Sequence, residues 1–479
     1  MKILFVGIPH HYLYSKISKS FGKTPPVNLA GLAAFLLDKG FEVQIFDPAV
    51  DNILLEDLHK YLPKDFDAIA VSSLTPTFLQ TIDILKIAKA INPKCISIMG
   101  GPHFSALPLE TMAGYKVIDF GIIGEGEITL FELLETLQNN KDISKVKGLV
   151  YRDNGHMKFN PVRERITNLD KLPFPAYHLL PMNKYGIKLH HFWSYEEIEL
   201  SPYTNLFTSR GCRYNCTFCG IRSVWGNCIY FKSAEYILSE IDLLVKKHNI
   251  KCIEISDSCL LANKPRLFKI LDGLIERDYN LNLTCMLRVD SVDEPILKKL
   301  KKAKFRLLRF GVESGSQQIL NAMNKQFTLA QIKEAFRLTH KIGIAATACV
   351  IIGYPGETKQ TFKETLRFLN VIKPTAADFY IALPLVGTEF YRLSLEKGYI
   401  PHHQNWSNWT FLPENPVLNT PDLSSQDLKF LIKKAYIKFY LNPSFIIKSI
   451  KNNYFLKLMN FYWNGTKLLI SMFRKQNLK

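Results

Sequence analysis

The sequence predicts an α/β protein with two series of alternating strands and helices and a helical C-terminal region. Between residues 1 and 145, short apolar runs alternate with segments of helical periodicity, which is typical of a doubly wound, flavodoxin-like parallel sheet. Residues 206–385 repeat this alternation. The length of 479 residues exceeds one ordinary hydrophobic core, and a content of 47% apolar and 22% charged residues is that of a globular protein.

The first series starts at the N-terminus. Short apolar runs predict its buried strands, and leucines and alanines at helical spacing predict the intervening helices, the first of which ends at Gly40. The predicted strands are 2–7, 41–47, 68–73, 95–101 and 117–123, and the predicted helices are 29–40, 78–91 and 128–138.

A hairpin and a proline-containing linker separate the two series. The hairpin is predicted at 146–159, with its turn at Asp153-Asn154-Gly155, and the linker is expected to be extended. The strands of the second series are predicted at 207–208, 252–256, 283–287, 307–312, 346–352 and 379–383. The predicted domain boundaries are 1–145, 146–200 for the hairpin and linker, 201–388, and 389–479 for the helical C-terminal region.

Three cysteines follow the first strand of the second series. Cys212, Cys216 and Cys219 are spaced Cys-x3-Cys-x2-Cys, and thiolates at this density suit iron–sulfur clusters or zinc. A closed zinc site needs four ligands, yet the next cysteine, Cys228, has no Cys-x2-Cys partner. Three thiolates can instead hold three irons of a four-iron cluster and leave the fourth iron open for chemistry.

This spacing, the aromatic Phe218 and the preceding run 206–211 resemble the signature of radical S-adenosylmethionine (SAM) enzymes. The resemblance implies a [4Fe–4S] cluster on Cys212, Cys216 and Cys219, whose open iron chelates SAM and whose electron cleaves SAM to a 5′-deoxyadenosyl radical. It also implies that the six strand–helix units form a partial (β/α)6 barrel with its chemistry at the loops after the strands.

Polar residues follow the predicted barrel strands. SAM needs a cation for its carboxylate, acceptors for its amine and ribose hydroxyls, and backbone groups against its adenine. Where many relatives have two acidic residues and then an aromatic one, this chain keeps only the first acid, Asp257. The alternative role of each charged residue is an ordinary ion pair. The resemblance implies SAM contacts at Phe218, Asp257, Arg288, Glu313, Ser314, Gly353 and Gly356, and no catalytic residue is predicted.

The turns after the first-series strands are small and polar. Doubly wound sheets bind ligands beyond the carboxyl ends of their strands, and small residues let a large planar ligand approach. With Pro25-Pro26, these turns resemble the cobalamin-binding domain of many radical enzymes; a generic flavodoxin-like domain is the alternative. His59 is predicted to lie on an outer helix, so no histidine ligand to cobalt is expected. The implied cobalamin contacts are Ser72, Thr75, Gly100, Gly101, Gly124 and Glu125.

The resemblance therefore implies a cobalamin-dependent radical SAM enzyme, related to the methyltransferases and the anaerobic magnesium-protoporphyrin cyclases. The commonest implied reaction is methylation of an unactivated carbon of a small molecule, with electrons from a flavodoxin or ferredoxin. One alternative is oxidative cyclisation or rearrangement without methyl transfer. A second is a cobalamin or iron–sulfur sensor that binds nucleic acid, but no helix-turn-helix is recognisable and no nucleic-acid partner is expected.

Positive charge is concentrated at the C-terminus. The net charge is +18, and residues 428–479 contain ten lysines and one arginine without an acidic residue. Aromatic and aliphatic clusters lie between these charges, which suits a helix at an anionic membrane surface; a solvated helical cap is the alternative. No signal peptide, cysteine pairing pattern or membrane-spanning apolar run is recognisable. The sequence predicts a cytoplasmic protein, with peripheral contact at the inner face of the membrane as an option.

Overall fold

The computed structural model of the chain describes residues 1–8, 22–187, 201–402, 405–410, 416–443 and 445–447. Its N-terminal part contains a sheet of seven strands in the order β2-β1-β3-β4-β5-β6-β7. The strands are β1 (Lys2–Val6), β2 (Glu42–Phe46), β3 (Ala68–Ser72), β4 (Ile96–Gly100), β5 (Phe120–Ile122), β6 (Leu149–Asp153) and β7 (His156–Phe159).

The first five strands of this sheet are parallel, as predicted, and their buried apolar residues face helices on both sides. The hairpin β6–β7 adds two antiparallel strands to β5, so the sheet extends past residue 145, where the sequence analysis placed a boundary. The helices of this part are Val27–Asp38, Leu58–Tyr61, Phe78–Ile91, Pro102–Ala106, Pro108–Gly114 and Glu127–Gln138.

The second sheet has six strands, paired in chain order and all parallel. They are β8 (Tyr203–Leu206), β9 (Cys252–Ile255), β10 (Asn282–Leu287), β11 (Phe305–Glu313), β12 (Ala345–Ile352) and β13 (Ala376–Ile381). Its helices are Ile221–Trp225, Ala234–His248, Lys264–Arg277, Glu294–Lys302, Gln317–Ala322, Leu329–Ile342, Lys359–Ile372 and Glu389–Glu396.

The prediction for the first barrel strand was wrong in position. It was expected at 207–208, whereas β8 ends at Leu206. The reason is that the backbone N–H of Thr208 donates to the Asp257 carboxylate at 2.6 Å instead of pairing with a neighbouring strand. Short antiparallel pairs complete the described sheets: Gly22–Lys23 with Gly186–Ile187, and Ser209–Gly211 with Ile229–Phe231.

The predicted linker is a packed segment that contacts both sheets. Tyr185 is buried, and its hydroxyl donates to Asp47 after β2 at 2.8 Å. Tyr177 is also buried and donates to Glu240, on a barrel helix, at 2.9 Å. These two tyrosines therefore join the N-terminal part to the barrel.

A C-terminal helix, Ser425–Tyr440, packs on β13 and on the helix Lys359–Ile372 through a buried apolar face that includes Leu428 and Leu431. Tyr440 donates to the carbonyl of Ala377 at 2.9 Å. Residues 428–440, which were predicted to belong to a membrane-binding tail, thus pack on the barrel, while residues 448–479 of that prediction lie outside the described residues. No described helix is long and apolar enough to span a membrane.

Candidate functional site

The three cysteines lie in a loop whose entry requires glycine. Gly211 has φ +93°, and a Cβ at this position would lie 2.0 Å from the carbonyl oxygen of Cys228. Any other residue would both strain the backbone and collide with the backbone of Cys228. Cys212 is buried, whereas Cys216 and Cys219 are partly exposed.

Positive charges surround this loop. The Arg288 guanidinium lies 3.7 Å from the sulfur of Cys216 and stacks 3.6 Å from the ring centre of Tyr214. The pKa of Cys212 is lowered to about 6, first by a hydrogen bond with the Cys259 thiol, and then by a backbone N–H and by nearby cations. Burial raises the pKa of Cys219. The loop therefore favours the thiolate at Cys212, the form that binds metal.

The donor set fits a cluster better than a single ion. In an iron–sulfur cluster each thiolate binds a different iron, so three soft donors can hold a four-iron cluster and leave its fourth iron open. The soft donors Cys212, Cys216 and Cys219 are thus suited to hold a [4Fe–4S] cluster.

Asp257 is occupied by the backbone that leads into the cysteine loop. Its Oδ1 accepts from the N–H groups of Thr208 and Ser209 at 2.6 and 3.1 Å, and its Oδ2 accepts from both hydroxyls. Burial raises the pKa of this carboxyl, and the hydrogen bonds oppose that shift. A role in positioning this loop fits these contacts better than the predicted contact with SAM.

Glu313 and Lys325 form a buried ion pair beside the cysteine loop. Lys325 Nζ lies 2.8 Å from Glu313 Oε1 and 5.5 Å from the ring centre of Phe218. Glu313 has φ +60°, a sparsely populated conformation for a residue with a side chain and one that clusters at functional sites. The structure therefore brings the predicted SAM contacts Glu313 and Phe218 together with Arg288, whose guanidinium also donates to the Lys325 carbonyl at 2.6 Å.

The other predicted SAM contacts lie at the ends of β11 and β12. Ser314 is buried, and its hydroxyl lies 3.1 Å from the hydroxyl of Thr365. Its hydrogen-bond partner therefore belongs to the helix Lys359–Ile372. Gly353 and Gly356 have φ +93° and +88°. A Cβ on Gly353 would lie 2.3 Å from Leu428 of the C-terminal helix, while a Cβ on Gly356 meets only open space.

The glycine loop and the cysteine loop are joined directly. Between the two glycines, the Tyr354 hydroxyl lies 2.6 Å from the hydroxyl of Thr217 in the cysteine loop. The buried Glu357 accepts from the Gly353 N–H, and burial raises the pKa of its carboxyl to about 7. These contacts fix the backbone groups that were predicted to face adenine.

The predicted cobalamin contacts lie at the carboxyl ends of β3, β4 and β5. Gly101 has φ +94°, and a Cβ there would lie 2.7 Å from the Ser72 hydroxyl. Glycine is therefore required for the close packing of the loops after β3 and β4. Gly100 has more room, since its nearest neighbour would lie at 3.6 Å, and Gly124 has φ +76°. Gln80, in the first turn of the helix that follows the loop after β3, has a buried side-chain oxygen without a partner among the described residues.

A histidine that the sequence analysis did not single out lies among these loops. His103 is buried, stacks on Phe78 with ring centres 4.0 Å apart, and lies 3.4 Å from the Thr75 hydroxyl. Burial lowers its pKa to about 3, so it is neutral near pH 7. Trp406 from the C-terminal region packs edge-on against it at 4.9 Å. His59, by contrast, is exposed on the helix Leu58–Tyr61, as predicted.

One arginine connects the cysteine loop with the last of the predicted cobalamin loops. Arg210 lies 2.7 Å from Glu125 and 2.5 Å from Glu127, and its guanidinium stacks on Trp225 at 5.4 Å. The other oxygen of Glu125 accepts from the Ile166 N–H at 2.8 Å. Both Glu125 oxygens are thus occupied by protein donors, which favours a bridging role over the predicted contact with cobalamin.

Known protein families match both the barrel and the N-terminal part of this chain. Residues 206–369 match the Radical SAM superfamily, and residues 17–134 match the B12 binding domain. An uncharacterized methyltransferase of Pyrococcus horikoshii is 32% identical over 452 residues, which cover 94% of this chain and 95% of that protein. The chain belongs to the cobalamin-dependent radical SAM methyltransferase family.

Other relatives agree with this family. The anaerobic magnesium-protoporphyrin IX monomethyl ester cyclase of Rubrivivax gelatinosus is 25% identical, over 93% of this chain and 78% of that enzyme. The cobalamin-dependent SAM radical enzyme OxsB has the same fold, with a TM-score of 0.70, 21% identity, and coverage of 98% of this chain and 72% of that chain. The predicted fold class and the predicted cofactors, a [4Fe–4S] cluster, SAM and cobalamin, are confirmed.

Sequence reasoning missed several residues that the structure places at these loops. Arg210, Lys325 and His103 lie far along the chain from their partners, and a single charged residue or histidine carries no signal of that pairing. The sequence did draw attention to Cys259, because this cysteine follows Asp257 by two residues, at the position where many relatives have an aromatic residue.

Proposed function

We propose that this protein transfers a methyl group to an unactivated carbon of a small molecule. The observation that carries the proposal is the bridge from Arg210 to Glu125 and Glu127, because it joins the loop before Cys212 to the loop after β5. Both cofactors would therefore face one shared space, which a transfer that depends on both of them needs.

The residues of this chain have defined parts in such a reaction. When bound, the cluster and SAM supply one-electron chemistry, and cobalamin supplies a transferable methyl group. Cys212, Cys216 and Cys219 would hold the cluster. Of the two nearby cations, Arg288 is paired with Asp290 at 3.0 Å and Lys325 with Glu313 at 2.8 Å, so each offsets only part of the thiolate charge. Around the cobalamin loops, the packing of Trp406 against His103 excludes water.

The decisive experiment uses full-length protein reconstituted anaerobically with iron, sulfide and cobalamin. It is incubated with methyl-labelled SAM, a reductant and cell extract, and both 5′-deoxyadenosine and labelled metabolites are measured. We expect a labelled metabolite together with 5′-deoxyadenosine. Substitution of Cys212, Cys216 or Cys219 by alanine should abolish the labelled metabolite and 5′-deoxyadenosine. Cys228→Ala, at an exposed cysteine, is the control and should retain about four irons per chain.

Two other outcomes would change the assignment. Formation of 5′-deoxyadenosine without a labelled product would favour oxidative cyclisation, a second candidate that the similarity to the magnesium-protoporphyrin cyclase supports. Tight zinc binding without iron–sulfur absorbance after reconstitution would remove the radical mechanism altogether.

We further propose that the cobalamin site lacks a histidine ligand from the outer helix. His59→Ala should leave the spectrum of bound cobalamin unchanged, because this side chain is exposed. Gly101→Val should prevent cobalamin binding, since a side chain there collides with the loop after β3. A changed cobalt spectrum in the His59 variant would contradict this proposal.

We also propose that residues 448–479 bind an anionic membrane surface. The support is that Leu441 and Ile447, at the end of the described chain, expose 49% and 54% of their surface, and that seven basic residues and no acidic residue follow. Full-length protein and a chain ending at residue 447 are compared by co-sedimentation with vesicles of graded anionic lipid content. Only the full-length chain should sediment, and less so at high salt. Equal sedimentation of both would exclude the tail as the cause.

A further inference from the structure

A layer of polar side chains lines the inner face of the barrel. In parallel strands, paired residues share a face, and every second residue returns to that face. Asn205 pairs with Glu254, and Glu254 pairs with Thr284. Met286, two residues after Thr284, pairs with Arg309, and Arg309 pairs with Thr347. We call six residues on this face the polar layer: Asn205, Glu254, Thr284, Arg309, Thr347 and Asp378.

The opposite face of the same strands is apolar and packs on the helices. Ile253, Leu308 and Phe379 belong to the main core, so the polar layer faces the inside of the barrel. Next to it along the strands, Tyr203 and Leu307 form a small buried apolar cluster with two further residues. The polar layer therefore lies inside the barrel and is only partly reached by solvent, since the side chains of Glu254, Arg309 and Asp378 are 16%, 15% and 24% exposed.

Several groups of the polar layer lack partners. Thr284 and Thr347 are 0% and 2% exposed. Their hydroxyls and the side-chain oxygen of Asn205 make no hydrogen bond within the described ranges of the chain. Buried polar atoms are almost always hydrogen-bonded in native proteins, to protein, water or ligand. The Nε of Arg309 is also buried without a partner in the part of the chain that the structure describes, so four such atoms on the inner face indicate a position for a bound group.

The charges in the polar layer do not balance. Arg309 lies 3.2 Å from Asp378 and makes its closest ion pair there, whereas its distance to Glu254 is 3.8 Å. The closest donor to Glu254 is the Tyr203 hydroxyl at 3.1 Å. Two carboxylates thus share one cation, and Glu254, between Asn205 and Thr284 and 16% exposed, has the longer of the two contacts with it. Its charge is therefore only partly compensated within the protein.

The polar layer adjoins the predicted SAM site. Gly311 lies two residues after Arg309 on β11, and a Cβ there would be 2.6 Å from Glu313 Oε1 and 3.5 Å from Lys325 Nζ. Met286, in register with Arg309, is 43% exposed on the same side. A small molecule that extends from the SAM site could therefore place a polar end in the layer and an apolar stem along Met286.

We propose that Glu254, Asn205 and Thr284 bind a protonated amine of the substrate. An ammonium group has three donors and no acceptor, which matches one carboxylate flanked by an amide oxygen and a hydroxyl. A carboxylate or phosphate would instead meet an excess of negative charge. This inference rests on the proposed function, because it takes the barrel to be the place where a small substrate is held.

Binding of small probes tests the inference without turnover. Hexylamine, hexanol and hexanoate share one apolar stem and differ in the charge of the head group. Their binding to the reconstituted full-length protein is measured by calorimetry and by ligand-observed NMR. Hexylamine, which is protonated near pH 7, should bind more tightly than hexanol, and hexanoate should not bind.

Variants locate the binding. Glu254→Gln and Thr284→Val, which change the volume little, should each weaken hexylamine binding by about tenfold or more, which corresponds to roughly 1.4 kcal/mol. Glu235→Gln, at an exposed helix position, should leave binding unchanged. Thermal unfolding and iron–sulfur absorbance verify that each variant is folded, and if Glu254→Gln is not, the probe series on the native protein and Thr284→Val decide.

Equal binding of the three probes, no binding, or binding unaffected by Glu254→Gln would overturn the inference. These results are separate from the test of methyl transfer. A protein that labels a metabolite but does not bind hexylamine would refute the amine site alone. A protein that binds hexylamine at Glu254 but transfers no methyl group would refute the proposed function alone.

Discussion

Replacement of Arg210 tests how much the bridge between the two cofactor loops contributes to stability. Arg210→Met keeps an apolar side chain against Trp225 but leaves Glu125 and Glu127, whose side chains are 4% and 8% exposed, without their cation. Removal of one partner from a buried ion pair typically costs about 3–5 kcal/mol, because the remaining charge is desolvated and uncompensated. The Ile166 N–H still stabilises Glu125, so most of the cost falls on Glu127.

Urea denaturation of the apoprotein, followed by circular dichroism, measures this loss. The matched control is Arg337→Met, which removes an ion pair with Glu334. Both of these side chains are more than half exposed, so this change should cost far less than Arg210→Met. The triple variant that adds Glu125→Gln and Glu127→Gln should recover most of the stability. If Arg210→Met costs no more than Arg337→Met, or if the triple variant recovers nothing, the bridge does not stabilise the protein in this way.

Three further predictions concern the SAM side of the site. Gly353→Ala should destabilise the protein by about 1–3 kcal/mol more than Gly356→Ala, because both positions have positive φ but only the former collides with the C-terminal helix; equal losses in thermal unfolding would contradict this. Glu357 binds a proton more tightly in the native state, so its contribution to stability falls as pH rises from about 4.5 to about 7. Glu357→Gln should remove that fall and be more stable than the native protein above pH 7 by about 3 kcal/mol, which urea denaturation across pH detects. Lys325→Met should weaken the retention of radiolabelled SAM in equilibrium dialysis, whereas Lys325→Arg, which preserves the pair with Glu313, should not.

The parts of the fold that depend on local pattern were predictable. The buried strands β1 to β5 and the barrel strands β9 to β13 were expected within a few residues of their observed positions, because apolar runs and helical spacing are local signals. The role of the hairpin was not predictable, since the pairing of its first strand, β6, with β5 is a tertiary contact. For the same reason, the sequence did not indicate that the linker tyrosines Tyr177 and Tyr185 are buried.

The functional site was likewise only partly predictable from the sequence. The short spacing of the three cysteines identifies the cluster loop from the sequence alone. Glu313 was also predicted as a site residue, and it pairs with Lys325, which in turn lies over the ring of Phe218. The sequence could not tell that Asp257 would bond to the backbone at Thr208, or that Arg210 would reach across to Glu125. The first contact depends on the pairing of β8 with β9, and the second depends on the relative placement of the two sheets. No residue pattern within one segment encodes either of them.

The C-terminal helix has a consequence for self-association. The strand β13 ends the barrel sheet and would present free backbone groups to any other strand. The hydroxyl of Tyr440 accepts from the N–H of Ala377 at 3.2 Å and donates to its carbonyl at 2.9 Å, and Tyr436 donates to the carbonyl of Phe379 at 3.3 Å. Two tyrosines one helical turn apart thus take the place of a further strand. A chain cut before this helix should form intermolecular β-sheet aggregates, at a rate that rises with protein concentration.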